Sequence, residues 1–151
     1  MSWNEWTNLE NSKGVVNLPS YLGPGIYKIR IVNKFQEPYQ IPRILTIFDL
    51  DGDKEGLFMI GESTTIQTRI KTFFRVLQGK ANNHVEGKKL RKIIANLGPK
   101  YNKEEYILQY TFKEMHVTED LLKIEEGKLL QEYFNQFGEL PPLNADMPGE
   151  K

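Results

Sequence analysis

Cysteine is absent from the chain, and this absence removes several kinds of chemistry at once. Disulfide bonds, thiolate metal sites and cysteine nucleophiles are all excluded. The composition is compatible with a reducing compartment, and we expect a cytoplasmic protein. Histidine is scarce as well, since His84 and His116 are the only two. They lie far apart in sequence without a second ligand at metal spacing, so a zinc site is not expected.

Long apolar runs are missing too. No run approaches the roughly 18–20 residues that a membrane-spanning helix needs. The chain does not begin with a basic segment followed by an apolar one, so we expect neither a signal peptide nor a membrane partner. The phosphate-binding patterns GxxxxGKS/T and GxGxxG and the hydrolase pattern GxSxG do not occur.

An acidic run at Asp49, Asp51 and Asp53 begins in the manner of a calcium-binding loop. Such a loop needs glycine at its sixth position and a bidentate glutamate at its twelfth. Lys54 and Ile60 occupy those two positions here. The run is therefore interpreted as a hairpin turn rather than a metal site.

The chain has 151 residues, 39% of them hydrophobic and 26% charged, which is typical of one soluble globular domain. Its net charge is zero, but the charges are unevenly distributed. Residues 62–100 carry 9 basic and 2 acidic side chains, net +7, whereas residues 101–151 carry 5 basic and 11 acidic ones, net −6. The basic block is either a face for an anionic ligand or a pair of solvated helices that pairs with the acidic segment.

Hydrophobic periodicity predicts four strands and three helices. Alternation places Ile26 and Val32 on one face of a strand over residues 26–32 and Tyr27 and Ile31 on the other. Further strands are predicted over residues 43–50, 56–60 and 106–112, with a turn at 51–54. Helices are predicted over residues 65–77, over 85–97, and from Thr118 or Glu119 up to Gly138. Ser63 or Thr64 is the predicted N-cap of the first helix.

These elements predict a mixed α/β fold of the α+β type, with a small antiparallel sheet flanked by helices. There are no internal repeats and no linker, so one domain is predicted over residues 23–144. Residues 1–22 are predicted to form an N-terminal arm that packs on this domain. Residues 145–151 are predicted to form a frayed C-terminal tail.

Five short features along the chain carry side chains with useful chemistry. Gly25-Ile26-Tyr27 begins a predicted strand and Met59-Ile60-Gly61 ends another. Arg69 lies on the first predicted helix, and Glu126 lies on the last one, ahead of two leucines. Asn144 follows the Pro141-Pro142 pair, which forces an extended segment.

The order and spacing of these features resemble the GIY-YIG nuclease family over roughly residues 23–144. The first motif matches letter for letter as Gly25-Ile26-Tyr27, and the second is present as Met59-Ile60-Gly61. Arg69 matches the family arginine. Residues 126–130, which begin with Glu126, match the family pattern E-x-x-L-L. Pro141-Pro142-Leu143-Asn144 matches the family ending P-x-x-N. The ordered set of five carries the resemblance, because each motif alone is unspecific.

The resemblance implies a GIY-YIG-like fold and a metal-dependent endonuclease that hydrolyses DNA with one Mg²⁺ or Mn²⁺ ion. It implies that Tyr27, as a phenolate, takes a proton from the attacking water. A free phenol has a pKa of about 10, so a neighbouring cation must lower it. The resemblance further assigns the scissile phosphate to Arg69, the metal ion to Glu126, and backbone or water near the metal to Asn144.

Two features depart from the family pattern. Met59 stands where the second motif usually has a tyrosine, so one hydroxyl group is missing. Residues 28–58 separate the two motifs, which is more than the family usually has. The extra residues predict an inserted loop and hairpin over about residues 33–55, which is either an element that reads DNA or a partner, or a plain hairpin.

Other residues keep two interpretations each. His84 either shuttles a proton or is an exposed loop histidine. Glu125 is the neighbouring alternative to Glu126, although the spacing of Leu129 and Leu130 favours Glu126. Six basic residues either follow the DNA backbone or form solvated helix faces: Lys71, Arg75, Lys88, Lys89, Arg91 and Lys92.

The leading prediction is therefore an active endonuclease of a restriction, mobile-element or repair system. Its sequence specificity would come from the insert, a homodimer or a partner protein. The alternative is an inactive module of the same fold that binds nucleic acid or protein, and Met59 favours it. A scaffold whose insert binds another protein is a third interpretation. A nuclease requires Tyr27, Arg69 and Glu126 to converge in one pocket with a positive rim.

Overall fold

The computed structural model of the chain describes residues 2–11, 13–37, 55–97 and 106–144. Within these ranges the elements are β1 (Thr7–Asn8), β2 (Gly25–Asn33), β3 (Leu57–Ser63), α1 (Ile66–Leu77), α2 (Val85–Leu97), β4 (Tyr106–Glu114) and α3 (Glu119–Phe137). The predicted strand over 43–50, the turn at 51–54 and the tail over 145–151 lie outside the described residues, as does most of the predicted insert.

The four strands form one antiparallel sheet in the order β1-β4-β2-β3. This confirms the prediction of a mixed fold with a small antiparallel sheet and helices. The two-residue strand β1 was not predicted. It pairs Thr7 with Tyr110 at the edge of the sheet, so the N-terminal segment extends the sheet rather than only packing on it.

The alternation predicted for β2 separates two hydrophobic layers. Tyr27, Ile29 and Ile31 lie in the layer beneath α1 and α2, together with Ile70 and Phe73. The opposite layer lies between the sheet and α3, and its buried members are Ile26, Leu57, Ile60, Leu122, Tyr133 and Phe137. The three helices therefore cover both faces of the sheet.

Trp3 and Trp6 pack on the α3 side of the sheet. The Lys28 ammonium lies 4.2 Å from the ring centroid of Trp3, and the Arg30 guanidinium lies 4.2 Å from that of Trp6. Cations at this distance over an indole face are attracted to the ring. The polar residues of β2 that face this layer are thus covered by the N-terminal segment.

The helix ends follow common capping rules, with one difference from the prediction. Helix α3 begins at Thr118, whose hydroxyl accepts from the Leu121 N–H, and ends at Gly138, which has φ 76°. The N-cap of α1 is Thr65, not Ser63 or Thr64, and its side chain makes no cap hydrogen bond. Ser63 acts one step earlier, because its Oγ accepts from the Thr65 N–H at 3.0 Å.

Helix α3 buries fewer of its apolar residues than its composition indicates. Leu122, Tyr133 and Phe137 are buried, whereas Ile124 and Phe134 are about half exposed, at 53% and 47%. Apolar residues occur on all sides of this helix, but only one side meets the sheet. Among the described residues, none of the helices has both the length and the apolar composition needed to cross a bilayer.

Candidate active site

The two sequence motifs lie side by side on β2 and β3. Tyr27 pairs directly with Gly61 across the strands. A Cβ atom at Gly61 would lie 2.5 Å from Cζ of Tyr27 and 2.6 Å from its hydroxyl oxygen. The tyrosine ring therefore lies across the backbone of β3, which explains why a glycine must stand in the second motif. A Cβ atom at Gly25 would meet the carbonyl oxygen of Lys113 on the other neighbouring strand.

The hydroxyl group of Tyr27 is the centre of the site. It lies 3.4 Å from Nε2 of His84, and its residue is buried. Burial raises the pKa of Tyr27 above the ordinary value of 10, and the negative charges of Glu86 and Glu126 act in the same direction. The charge and hydrogen bonding of Arg69 oppose this rise. Contacts run from Tyr27 to His84, from His84 to Glu86 at 3.3 Å, and from Glu86 to Arg69 at 3.9 Å. The charge of Glu126 on α3 also acts on this phenol.

His84 is a buried helix cap rather than an exposed loop histidine. It directly precedes α2, and its Nδ1 accepts a hydrogen bond from the Gly87 N–H at 3.1 Å. Its ring packs edge-on against Phe73, with 5.1 Å between centroids. Since Nδ1 is an acceptor, the neutral ring carries its proton on Nε2 and donates it towards the oxygen of Tyr27.

Burial and the charge of Arg69 lower the pKa of His84 to about 3. The ring is therefore neutral near pH 7, and the 3.3 Å contact between Nδ1 and the Glu86 carboxylate is not an ion pair there. A histidine that stays neutral and donates to Tyr27 positions the phenol. The proton-shuttle role stays a prediction.

Replacing His84 by asparagine is expected to flatten the acid side of the stability profile. Asparagine keeps an N-cap acceptor but does not titrate. The unfolded chain protonates His84 below pH 6.5, whereas the folded protein does so only near pH 3, so stability falls as the pH falls through this window. Between pH 7 and pH 5 the wild type should lose about 1–2 kcal/mol more than the variant, measured by urea unfolding. Parallel losses would contradict a buried neutral His84.

Arg69 is held by a residue that the sequence did not indicate. Its Nη2 lies 3.9 Å from Oε2 of Glu86, and the side chain of Arg69 remains 35% exposed. A loose ion pair of this kind orients the guanidinium while leaving several of its five donors unused. Glu86 and Glu62 are the only acidic residues in the basic block over residues 62–100, which is the signal that could have revealed them.

Glu126 lies half-buried on α3. Its pKa is raised to about 7, first by burial and then by the negative charges of Glu62 and Glu86. The backbone of Glu62 and the charge of Lys123 lower it, with smaller effects. Glu125, the neighbouring alternative, instead forms an ion pair with Lys128 at 3.3 Å. Glu126 is therefore the member of the pair that faces the site.

The surroundings of Glu126 suit a cation. Three carboxylates from β3, α2 and α3 influence one another there, and positive charge between them would relieve their repulsion. Among the residues that the structure describes, no group of three or more metal-binding side chains is close enough to form a complete metal site. One carboxylate suffices for Mg²⁺ when water and substrate oxygens complete its shell.

Asn144 fastens the segment after α3 to the edge of the sheet. Its Oδ1 accepts from the Ile60 N–H and its Nδ2 donates to the Ile60 carbonyl, both at 2.8 Å. The Leu143 N–H donates to the Phe58 carbonyl, also at 2.8 Å. Residues 143–144 thus cover the free edge of β3. The side-chain amide of Asn144 holds backbone next to Gly61, so its role is to position the second motif.

Met59 belongs to the hydrophobic layer beneath α1 and α2. It is 2% exposed and pairs with Ile29 across the strands. Met59 lies two residues before Gly61, so its side chain is on the face of β3 against which the Tyr27 ring packs. The position at which the family pattern has a tyrosine hydroxyl is thus occupied here by a buried methionine side chain.

Comparisons with family models, with curated proteins and with solved structures found no match to this chain. The geometry of Tyr27, Arg69, His84 and Glu126 is therefore what supports a function.

The six basic residues do not form a single continuous track. The Arg91 guanidinium already makes hydrogen bonds within the protein. Its Nη1 donates to the Val76 carbonyl at 2.9 Å, and its Nη2 donates to the Asn82 side chain at 3.3 Å. Lys88 and Lys89 are partly buried on α2, and Lys92 is exposed there. The two basic residues on α1, Lys71 and Arg75, are exposed and point away from the flank that carries Arg69.

Proposed function

We propose that this chain is a GIY-YIG-type endonuclease that hydrolyses phosphodiester bonds of DNA with one divalent ion, Mg²⁺ or Mn²⁺. The observation that carries the proposal is the cluster around one buried phenol. Tyr27 contacts His84, Glu86 links His84 to Arg69, and the charge of Glu126 acts on the same phenol. Tyr27, Arg69 and Glu126 are side chains that the family resemblance selected from distant parts of the sequence.

Arg69 binds and neutralises the phosphate. Its guanidinium is permanently charged and presents a planar fork that matches two phosphate oxygens. The side chain is one-third exposed, which gives an incoming phosphodiester access to it. Donors placed in advance at the point where charge develops are the main source of rate enhancement in such reactions. Glu86 keeps the fork in place from the opposite side.

Tyr27 takes the proton of the attacking water. Burial favours its protonated form, and two groups of the chain act in favour of the phenolate: the charge of Arg69 and the Nε2–H of His84. A divalent ion held by Glu126 would supply the further positive charge that lowers the pKa of the phenol and of the water, and would stabilise the leaving oxygen. Gly61 gives the ring its place against β3.

A binding module without activity is the second candidate, and Met59 is the observation that favours it. Its side chain lies in the core where the family pattern has a hydroxyl. An inactive protein of this type would bind DNA through Arg69 and the basic residues without cutting it.

Plasmid nicking with Glu126→Gln and Glu125→Gln separates these candidates. The wild type should convert supercoiled plasmid into open circles with Mg²⁺ or Mn²⁺ and should stop in EDTA. Glu126→Gln keeps the size of the side chain but removes the metal-binding charge, so we expect nicking to fall by at least about 100-fold. Glu125→Gln changes the adjacent exposed position and should keep nearly full activity.

Activity that survives Glu126→Gln, or that disappears equally in both variants, would contradict the assignment of the metal to Glu126. A wild type that binds DNA but fails to nick supercoiled, branched or single-stranded DNA would favour the binding module.

A further inference from the structure

A basic groove lies on the side of α1 that faces the antiparallel bridge between Glu10 and Val16. It has a volume of about 360 Å³, with Val16 and Phe74 among its apolar lining. Lys71, Arg75 and Lys80 stand around it. Among the described residues that line it none is acidic, and Gly14 adds no side chain.

The three cations of this groove are not engaged elsewhere in the described part of the chain. Each is exposed, and none forms an ion pair with a described acidic residue. Other lysines on the surface do have such partners, as Lys123 has in Glu119 and Lys128 in Glu125. Unpaired cations that converge on one concave surface attract an anionic ligand of matching size.

The apolar lining of the groove adds a second requirement. Phe74 is only 5% exposed and belongs to the core, so a ligand that meets only the cations would leave mainly the half-buried Val16 uncovered. A nucleotide provides both parts, since its phosphate pairs with Lys or Arg while its base lies on apolar side chains. The Gln78 amide at the same groove is exposed and offers a donor and an acceptor to a base edge.

The position of the groove favours a single strand over a duplex. At 3.6 residues per turn, Lys71 and Arg75 lie roughly 200° and 240° around α1 from Arg69. A strand that contacts Arg69 and the groove must therefore pass round a helix. Duplex DNA is stiff over about 150 base pairs and does not follow such a path, whereas a single strand bends freely.

We infer that this groove binds a single-stranded nucleic-acid segment that continues from the phosphate held at Arg69. Phosphates of the segment lie on Lys71, Arg75 and Lys80, and a base lies on Val16. That the strand runs from the groove to Arg69 rests on the proposed function. The substrate class is then DNA with an unpaired segment next to the cut.

The test is fluorescence anisotropy with a labelled 12-mer of oligothymidylate, measured in EDTA so that no cutting is needed. The full chain is compared with a groove variant, Lys71→Gln/Arg75→Gln/Lys80→Gln. The control variant, Lys34→Gln/Lys113→Gln/Lys128→Gln, removes the same charge elsewhere on the surface. The groove variant should bind at least about tenfold more weakly. Its slope of log affinity against log salt should also shrink by about 2, since each phosphate contact contributes roughly 0.7.

Equal losses in the groove and control variants would overturn the inference, because charge in general would then explain binding. Tighter groove-dependent binding of a 12-base-pair duplex would overturn it as well, and so would displacement of the strand by polyglutamate of equal length. The plasmid assay separates this result from the proposed function. Groove-dependent binding by a protein that does not nick would support the groove and reject the nuclease, and nicking without such binding would do the reverse.

Discussion

Replacing Tyr27 by phenylalanine is expected to lower the rate of plasmid nicking by about 10²–10⁴-fold, the range that a general base contributes. The change removes one oxygen atom, and phenylalanine fills the same space against Gly61. The lost hydrogen bond to His84 is long, at 3.4 Å, so the stability should change by no more than about 1 kcal/mol. Single-turnover nicking and urea unfolding measure the two effects.

Tyr110→Phe is the matched control for this variant. It also removes a buried phenol oxygen, one that donates to the Asn17 carbonyl at 2.6 Å, but on β4, which lies on the opposite side of β2 from β3 and Gly61. The control should lose stability and keep nicking. If Tyr27→Phe cuts DNA as fast as Tyr110→Phe, another group is the base and the role given to Tyr27 is wrong.

Replacing Gly61 by alanine is expected to affect both stability and activity. The new methyl group would lie 2.5 Å from Cζ of Tyr27, so the buried ring must move or the strands must separate. Overpacking of this kind costs about 1–3 kcal/mol in the free energy of unfolding. Movement of the ring also shifts the hydroxyl away from Arg69 and His84, so nicking should fall about as far as in Tyr27→Phe.

Gly127→Ala serves as the control for this glycine. Gly127 adjoins Glu126 on α3, and a Cβ atom there would meet nothing within 4 Å. Alanine in an exposed helix position should raise stability by up to about 1 kcal/mol and leave nicking unchanged. A Gly61→Ala protein with wild-type stability and activity would show that the Tyr27 ring does not depend on close approach to β3.

Much of the fold follows from periodicity in the sequence. The two faces of β2 pack in separate hydrophobic layers, so its apolar residues alternate along the chain. This alternation over residues 26–32 predicted the strand. The range 85–97 predicted for α2 agrees with the helix found at Val85–Leu97. Strand β1 was missed, since two residues have no period and its place depends on pairing with β4. Spacing alone does not predict which apolar residues of α3 are buried. Ile124 and Phe134 fit the helical spacing but do not reach the sheet.

The sequence likewise predicted some residues of the candidate site and not others. Tyr27, Arg69 and Glu126 were selected from motif spacing, and in the structure the charges of Arg69 and Glu126 both act on the Tyr27 phenol. Glu86 was not selected: its isolated negative charge in the basic block marks it in the sequence, but its contact with Arg69 depends on the approach of α2 to α1. His84 was considered an exposed residue as one alternative, since a polar loop surrounds it in sequence. Its burial results from Phe73 and from its own cap on Gly87.

The most direct test of the proposed one-metal site is the location of a divalent ion. Crystals soaked in Mn²⁺ show the metal unambiguously by its anomalous scattering. We expect one peak in direct coordination with a carboxylate oxygen of Glu126, within reach of Arg69 and the Tyr27 hydroxyl, and its loss in Glu126→Gln. A peak at another position, or one that persists in Glu126→Gln, would contradict the proposed one-metal site.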